Sequence, residues 1–283
     1  MSLSNKIKIV TVVGTRPEII RLSSIISRLN GSSYIDHYLI HTGQNYDHNL
    51  NEIFFEDLGL SKPHYYLDAA KETSSKTIGE ILIKIDPVLD KIDPDALLIL
   101  GDTNSCLSAI AAKKRKIPIF HFEAGNRCFD FRVPEESNRK IVDHISDINL
   151  TYSSNASQNL LNEGIPADRI IKVGSPMNEI IQKNLYKIQN SNILSKLKLS
   201  KEKYFLISCH REENIDSPLN FKKLINSLNK ICEVYKMPVI FPVHPRTRKI
   251  INNNSPKLNK HINLIDPLGF VDYNQLQINS FVV

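Results

Sequence analysis

Four short stretches hold most of the side chains able to do chemistry. They are GTRPE at 14–18, GDTN at 101–104, the charged run HFEAGNRCFDFRVPEESNRK at 121–140, and CHREEN at 209–214. The long run sets Glu123, Arg127, Asp130, Arg132, Glu135, Glu136 and Arg139 directly after the apolar IPIFHF. Both signs of charge therefore crowd the end of what reads as a buried strand. Paired carboxylates in a cleft, with surroundings that tune them apart, can act as general acid and general base. Glu135 and Glu136 also follow Pro134 at a helix start, where the dipole favours carboxylates in any case. Helix stabilisation is thus the competing account of that pair.

GTRPE lies at a strand–helix turn. Gly14 allows a tight turn, Pro17 suits the first helical turn, and the helix start offers backbone N–H groups to an anion. Arg16 adds a forked cation matched to phosphate; the alternative is an ion pair across the crevice. The stretch is neither GxGxxG nor a Walker loop. Asp102 either projects beyond its strand or caps the next helix, as Thr103 or Asn104 also could. His210, at the tip of YFLIS, is placed as an acid or a phosphate ligand, with Arg211 beside it. FPVHPRTRK repeats the arrangement with His244 and Arg246. Two strand ends bearing His and Arg point to an anionic ligand such as a diphosphate.

The elements that must position these groups follow from period and punctuation. Apolar, β-branched runs (KIVTVVG, HYLIHTG, HYYLD, DALLILGD, IPIFHFEA, INLTYS, DRIIKVGS) alternate with helical patterns. One helical stretch, KTIGEILIKIDPVLDKI, carries a Pro interruption, and NSCLSAIAAKKRK reads as a helix closed by basic residues. Strands apolar throughout and joined by helices imply a parallel sheet covered on both faces. Ligands bind beyond the carboxyl ends of such strands. GTRPE, GDTN and EAGNR all fall there and are expected to converge on one crevice.

After Gly174 a polar, Asn- and Lys-rich connection leads to a second alternation: YFLISCH, MPVIFPVH and HINLID as strands with helices between them, then SFVV as the start of another. The reading is α/β, with two Rossmann-like parallel-sheet domains facing a cleft in the manner of the glycosyltransferase-B fold. The expected domains are residues 1–175 and a nucleotide-binding 176–283, the second incomplete. A parallel strand with no helix after it leaves apolar surface open, so the chain reads as truncated relative to its parent.

Composition narrows the classes. A chain of 283 residues with 41% hydrophobic and 23% charged residues can bury two cores. No apolar run spans a bilayer and the start is not signal-like, so a cytoplasmic soluble protein is expected. Four cysteines without CxxC spacing argue against zinc or a disulfide framework. The net charge of +6 admits an anionic partner. Its clearest run, KKRK at 113–116, closes a helix and complements the dipole there. No nucleic-acid module is visible.

GTRPEII, HTGQNYD, GDTNS, HFEAGNR, VPEESNRK and CHREEN, in this order, resemble the non-hydrolysing UDP-N-acetylglucosamine 2-epimerase family along the whole chain. GTRPEIIRLSS, GDTNSCL and EAGNRCFD…VPEE further resemble its UDP-N-acetyl-L-fucosamine branch, which acts on UDP-2-acetamido-2,6-dideoxy-L-talose for capsule or O-antigen synthesis. The resemblance implies elimination of UDP, a 2-acetamidoglucal, and re-addition of UDP after protonation of the other face of C2. It places acid–base carboxylates on Asp102, Glu123 and Glu135 and a leaving-group histidine on His210. The substrate-binding set is Arg16, Arg21 (where the family often has Lys), Arg127, Arg211 and His244. It implies a UDP-sugar partner and a homodimer; the sequence suggests no metal or redox cofactor. Gln44, Asn45 and Tyr46 replace the QHR associated with substrate activation, so that activation is not expected. The family continues past FVV into a Ser-Gly-Gly loop and a downstream Glu. UDP-N-acetylglucosamine as substrate, an inactive UDP-sugar-binding fragment and a glycosyltransferase of similar architecture are the alternatives.

Overall fold

The computed structural model describes residues 6–43, 48–209, 217–243, 245–254 and 256–283. The chain divides into two compact units, Met1–Lys183 and Asn184–Val283.

The first unit is built on seven strands: β1 (Ile7–Val13), β2 (Ile35–His41), β3 (Tyr65–Tyr66), β4 (Ala96–Leu100), β5 (Ile119–Ala124), β6 (Ile148–Thr151) and β7 (Ile170–Lys172). They form one parallel sheet in the order β3-β2-β1-β4-β5-β6-β7. Val10, Val12, Ile40, Leu97, Ile99 and Ile119 are almost wholly buried in its main core, as expected of a sheet covered on both faces. The strand order reverses between β1 and β4. At such a switch point the connections leave in opposite directions and open a crevice at the carboxyl ends. GTRPE follows β1 and GDTN follows β4, so the two stretches flank that point.

The helices of this unit are α1 (Arg16–Asn30), α2 (His48–Asp57), α3 (Ser74–Ile92), α4 (Ala109–Lys114), α5 (Pro134–Ile145) and α6 (Ser154–Asn162). In α3, buried Ile81, Ile85, Leu89 and Ile92 form a helical stripe. Thr73 caps its start by accepting the Lys76 N–H at 3.2 Å. Pro87 does not break the helix; buried anchors on both sides, Ile85 and Leu89, hold the turns that a missing N–H weakens. The stretch read as one helix at 104–116 instead begins as a 3-10 turn over Asn104–Ser108 before α4. The basic run beyond it is met by acids: Lys113 pairs with Asp147 at 2.7 Å, and Arg115 with Asp86 and Asp90, each at 2.6 Å.

Helix α7 (Met177–Gln189) crosses the division between the units. In the second unit follow α8 (Ile193–Lys196), β8 (Phe205–Leu206), α9 (Pro218–Tyr235), β9 (Val239–Pro242), α10 (Pro245–Asn254), β10 (Ile262–Ile265) and α11 (Phe270–Asn279). The sheet order is β10-β9-β8, again parallel, and Val282 makes a parallel bridge to Phe205 at its edge. Phe205 meets the rings of Tyr235 and Phe281 edge-on, at 5.0 and 5.5 Å between centroids. Among the described residues, no helix is long and apolar enough to cross a membrane.

Candidate active site

The turn after β1 is closed from within. Glu18, in the first turn of α1, is 1% exposed. Its Oε2 accepts the N–H groups of Gly14 and Thr15 at 2.8 and 2.6 Å and the Thr15 hydroxyl at 2.9 Å. Its Oε1 accepts the Thr103 hydroxyl at 2.9 Å and the Ser105 hydroxyl. This corrects one expectation. The amides of Gly14 and Thr15 are not held open for a bound anion, because the chain supplies its own carboxylate there. Burial raises the Glu18 pKa, against the opposing pull of the donors led by Ser105. The result is a bridge fastening GTRPE to GDTN. Arg16, next to it, lies with its guanidinium 5.9 Å from the Phe54 ring centroid, within cation–π range.

Arg21, one helical turn further on, donates to the carboxylate of Glu123. Glu123 sits at an irregularity of β5: the register with β6 shifts between Phe122 and Ala124, and Glu123 has φ +63°. A bulge re-aims a side chain at a strand end, and a left-handed non-glycine residue costs on the order of 1–3 kcal/mol and persists only where its surroundings hold it. The surroundings do so here. Gly125 has φ +78°, and a Cβ on it would lie 2.3 Å from the Ala156 carbonyl oxygen of α6, so only glycine fits. Its N–H reaches Asp143 at 3.2 Å and its carbonyl accepts Asn159 at 3.0 Å. Burial pushes the Glu123 pKa up; the Arg21 charge opposes this and Asp102 adds to it.

Asp102 follows β4 and does not cap the next helical turn; Thr103 occupies that position. The Asp102 carboxylate instead takes Arg139 Nε at 2.8 Å and Nη2 at 2.6 Å, and Asn138 donates to its carbonyl at 2.8 Å. Arg139 also reaches Glu136 at 2.9 Å. Glu136 is fully buried and accepts the N–H groups of Cys128 and Phe129 at 3.1 and 3.2 Å. Burial works against the ionised form, but these donors and Arg139 outweigh it and lower its pKa to about 2. Glu136 is therefore the anchor of the 128–133 loop, not one of two equivalent carboxylates in a cleft. Glu135, its neighbour, is half-buried, and its side chain makes no hydrogen bond or ion pair among the described residues.

Arg127 requires a correction. Its side chain has no exposed surface. It clasps Glu163 through Nε and Nη2 at 2.8 and 2.6 Å and meets Asp143 at 2.7 Å. Four of its five N–H groups are taken up within the protein, one of them by the Asn126 carbonyl at 2.8 Å, and none of the side chain is exposed to a substrate, so its work is to hold the EAGNR turn. His121, 1% exposed, lies between the Gly101 carbonyl at 2.8 Å and the Asp143 carboxylate at 2.9 Å, which ties β4, β5 and α5 together. His210, Arg211 and His244, and the Gln44, Asn45 and Tyr46 stretch, lie outside the described residues.

The sequence reading missed Glu18 and Arg139. Thr-Arg-Pro-Glu is a capping-box spelling and could have drawn attention to Glu18. Arg139 carries no such signal toward Asp102, 37 residues away. Among the described residues, no group of three or more His, Cys, Asp or Glu is placed to hold a metal ion.

The family model for UDP-N-acetylglucosamine 2-epimerase matches residues 27–283. A structure of the enzyme of that name from Rickettsia bellii is similar at 48% identity and a TM-score of 0.89, over 98% of this chain and 73% of that one. The Methanocaldococcus jannaschii UDP-GlcNAc 2-epimerase, solved in complex with UDP-GlcNAc and UDP, is similar at 38% identity and a TM-score of 0.89, over 97% and 77%. The Pseudomonas aeruginosa UDP-2,3-diacetamido-2,3-dideoxy-D-glucuronate 2-epimerase is 38% identical over 268 residues, 94% of this chain and 74% of that protein. These relatives are named as isomerases of nucleotide sugars. With the family model matching residues 27–283 and relatives at 38–48% identity over nearly the whole chain, the chain belongs to the UDP-N-acetylglucosamine 2-epimerase family.

Proposed function

We propose that this protein inverts C2 of a UDP-2-acetamido sugar. The observation that carries the reading is the Arg21–Glu123 pair at the β5 bulge, in a unit where Asp102 is held by Arg139. A carboxylate with a raised pKa, beside a second carboxylate and a cation, suits proton transfer at a carbon next to a departing anion. One carboxylate takes the C2 proton. The C2–H electron pair becomes the C1=C2 double bond, and the C1–O pair leaves with UDP. Protonation of the opposite face of C2 and re-addition of UDP at C1 complete the inversion. Asp102, Glu123 and Glu135 are the acid–base candidates. Arg16, Arg21 and Arg211, with His210 and His244, are the proposed contacts to the sugar diphosphate.

The proposed substrate is UDP-2-acetamido-2,6-dideoxy-L-talose, giving UDP-N-acetyl-L-fucosamine for capsule or O-antigen synthesis. The spellings GTRPEIIRLSS, GDTNSCL and EAGNRCFD…VPEE support it. UDP-N-acetylglucosamine is the second reading, favoured by the UDP-GlcNAc-bound relative. Incubation of the protein with each UDP-sugar in deuterated water separates them. Label at C2 is expected from the L-talo sugar; label from UDP-N-acetylglucosamine alone overturns the fucosamine assignment. No label from any UDP-sugar, with no heat of UDP binding, means a chain that does not bind or turn over nucleotide sugars. The proposed assembly is a homodimer, for which sedimentation would give twice the 32.2 kDa of the chain.

A further inference from the structure

Tyr152 directly follows β6, whose last residue Thr151 pairs with Ala124 across the β5 bulge. The tyrosine thus stands beside the bend that aims Glu123. Its hydroxyl oxygen is buried and has no hydrogen-bond partner among the described residues. A buried phenol usually finds one. Burial pushes its pKa above the ordinary tyrosine value, the Glu123 charge adds to the rise, and Arg21 opposes it. The phenol is therefore neutral at neutral pH, and both members of the Arg21–Glu123 pair act on it.

The groups facing Glu123 differ in what they can offer. Arg21, from α1, only donates, so it holds the carboxylate in its ionised form. Asn126 lies at 3.4 Å from the other oxygen, also as a donor. His121, on the same strand, and Asp102, after β4, act on it through charge alone. When Glu123 carries a proton, its O–H needs an acceptor, and neither Arg21 nor that Asn126 N–H supplies one. A hydroxyl rotor can accept as well as donate. In the ion-paired arrangement seen here, the Tyr152 hydroxyl makes no hydrogen bond among the described residues.

We infer that Tyr152 is a positioning residue for Glu123: its hydroxyl oxygen accepts a hydrogen bond from the O–H of protonated Glu123 in the protonated half of the acid–base cycle, when Arg21 no longer holds an anion. This rests on the acid–base reading of Glu123. It assigns Tyr152 no contact with the reacting sugar.

The test is Tyr152→Phe, which keeps the ring and removes one unpartnered oxygen, so the urea midpoint is expected to stay within error of the wild type. Carbon-13 NMR of labelled glutamate side chains, with Glu123→Gln identifying the resonance, reads the Glu123 titration directly in the full chain. One neutral hydrogen bond lost from the protonated form lowers proton affinity about five-fold, a shift of about 0.7 pH unit downward. In the deuterium-exchange assay, the corresponding limb of the rate profile moves the same way, with KM unchanged. An unchanged or raised Glu123 midpoint in Tyr152→Phe overturns the inference. Full C2 exchange in Glu123→Gln would instead sink the acid–base reading and leave the measured titration standing.

Discussion

Glu18 and Ser105 lie 87 residues apart in the chain and share a buried hydrogen bond across the switch point of the sheet. One Glu18 oxygen serves two backbone N–H groups and a hydroxyl; the other serves only hydroxyls. Hydroxyls can reverse their roles and amides cannot. Glu18→Gln, with its NH2 turned to Thr103 and Ser105, is therefore expected to cost only about 1 kcal/mol. Glu18→Ala strands the Gly14 and Thr15 amides and is expected to cost about 3 kcal/mol or more. Urea unfolding of the two variants measures the difference, and equal midpoints would show that the bridge does not hold the loops.

The acid–base candidates separate from the anchors by their kinetics. Asp102→Asn, Glu123→Gln and Glu135→Gln are each expected to slow C2 deuterium exchange by about 100-fold or more. UDP affinity by calorimetry should be nearly unchanged, because these groups are assigned to the C2 proton and not to the diphosphate. A variant that keeps near-normal exchange is not an acid or base of the reaction.

Arg127 should behave in the opposite way. It is enclosed by Asp143 and Glu163, so Arg127→Met leaves the buried Asp143 carboxylate and the partly buried Glu163 without their cation, at a cost of about 3–5 kcal/mol. The expected signature is a large drop in the urea midpoint. A weakened UDP-sugar KM with wild-type stability would restore the substrate-binding role that the burial removes.

Much of this was visible in the residue order. β1, β4 and β5 read as strands because they are apolar on both faces, and the three polar clusters were placed at their carboxyl ends. What the order could not show is direction. Glu135 and Glu136 are adjacent on α5, and consecutive helical residues point about 100° apart, so one enters the protein and one does not. Which one is decided by the Cys128 and Phe129 amides, a tertiary fact. Arg127 is expected among the substrate contacts, yet its partners come from α5 and from Glu163, beyond the end of α6. The Glu123 bend depends on the bulge against β6, and no local spelling announces it. The capping box at Thr15–Glu18 was legible, but its reach to Thr103 and Ser105 depends on β4 lying beside β1.

The acid limb of stability tests the Glu136 anchor. Its folded pKa of about 2 lies below the ordinary 4.5. A depressed carboxyl contributes stability that is complete above the unfolded value and is lost as pH falls through the folded one. The titrating part of its contribution is about 3 kcal/mol at pH 7 and shrinks to about 1 kcal/mol near pH 3. Asp143, lowered by His121 and Arg127 against the effect of burial, runs in the same direction. Glu18 and Glu123 are raised and run in the other, each favouring the folded state once protonated. The total pH profile is therefore a sum, and the comparison with Glu136→Gln isolates one member. The gap in unfolding free energy between wild type and Glu136→Gln should be widest near neutral pH and narrow by about 2 kcal/mol on going to pH 3. A gap that stays constant from pH 7 to pH 3 would mean that the Cys128 and Phe129 amides do not hold an ionised carboxylate, and that the 128–133 loop is fastened by something else.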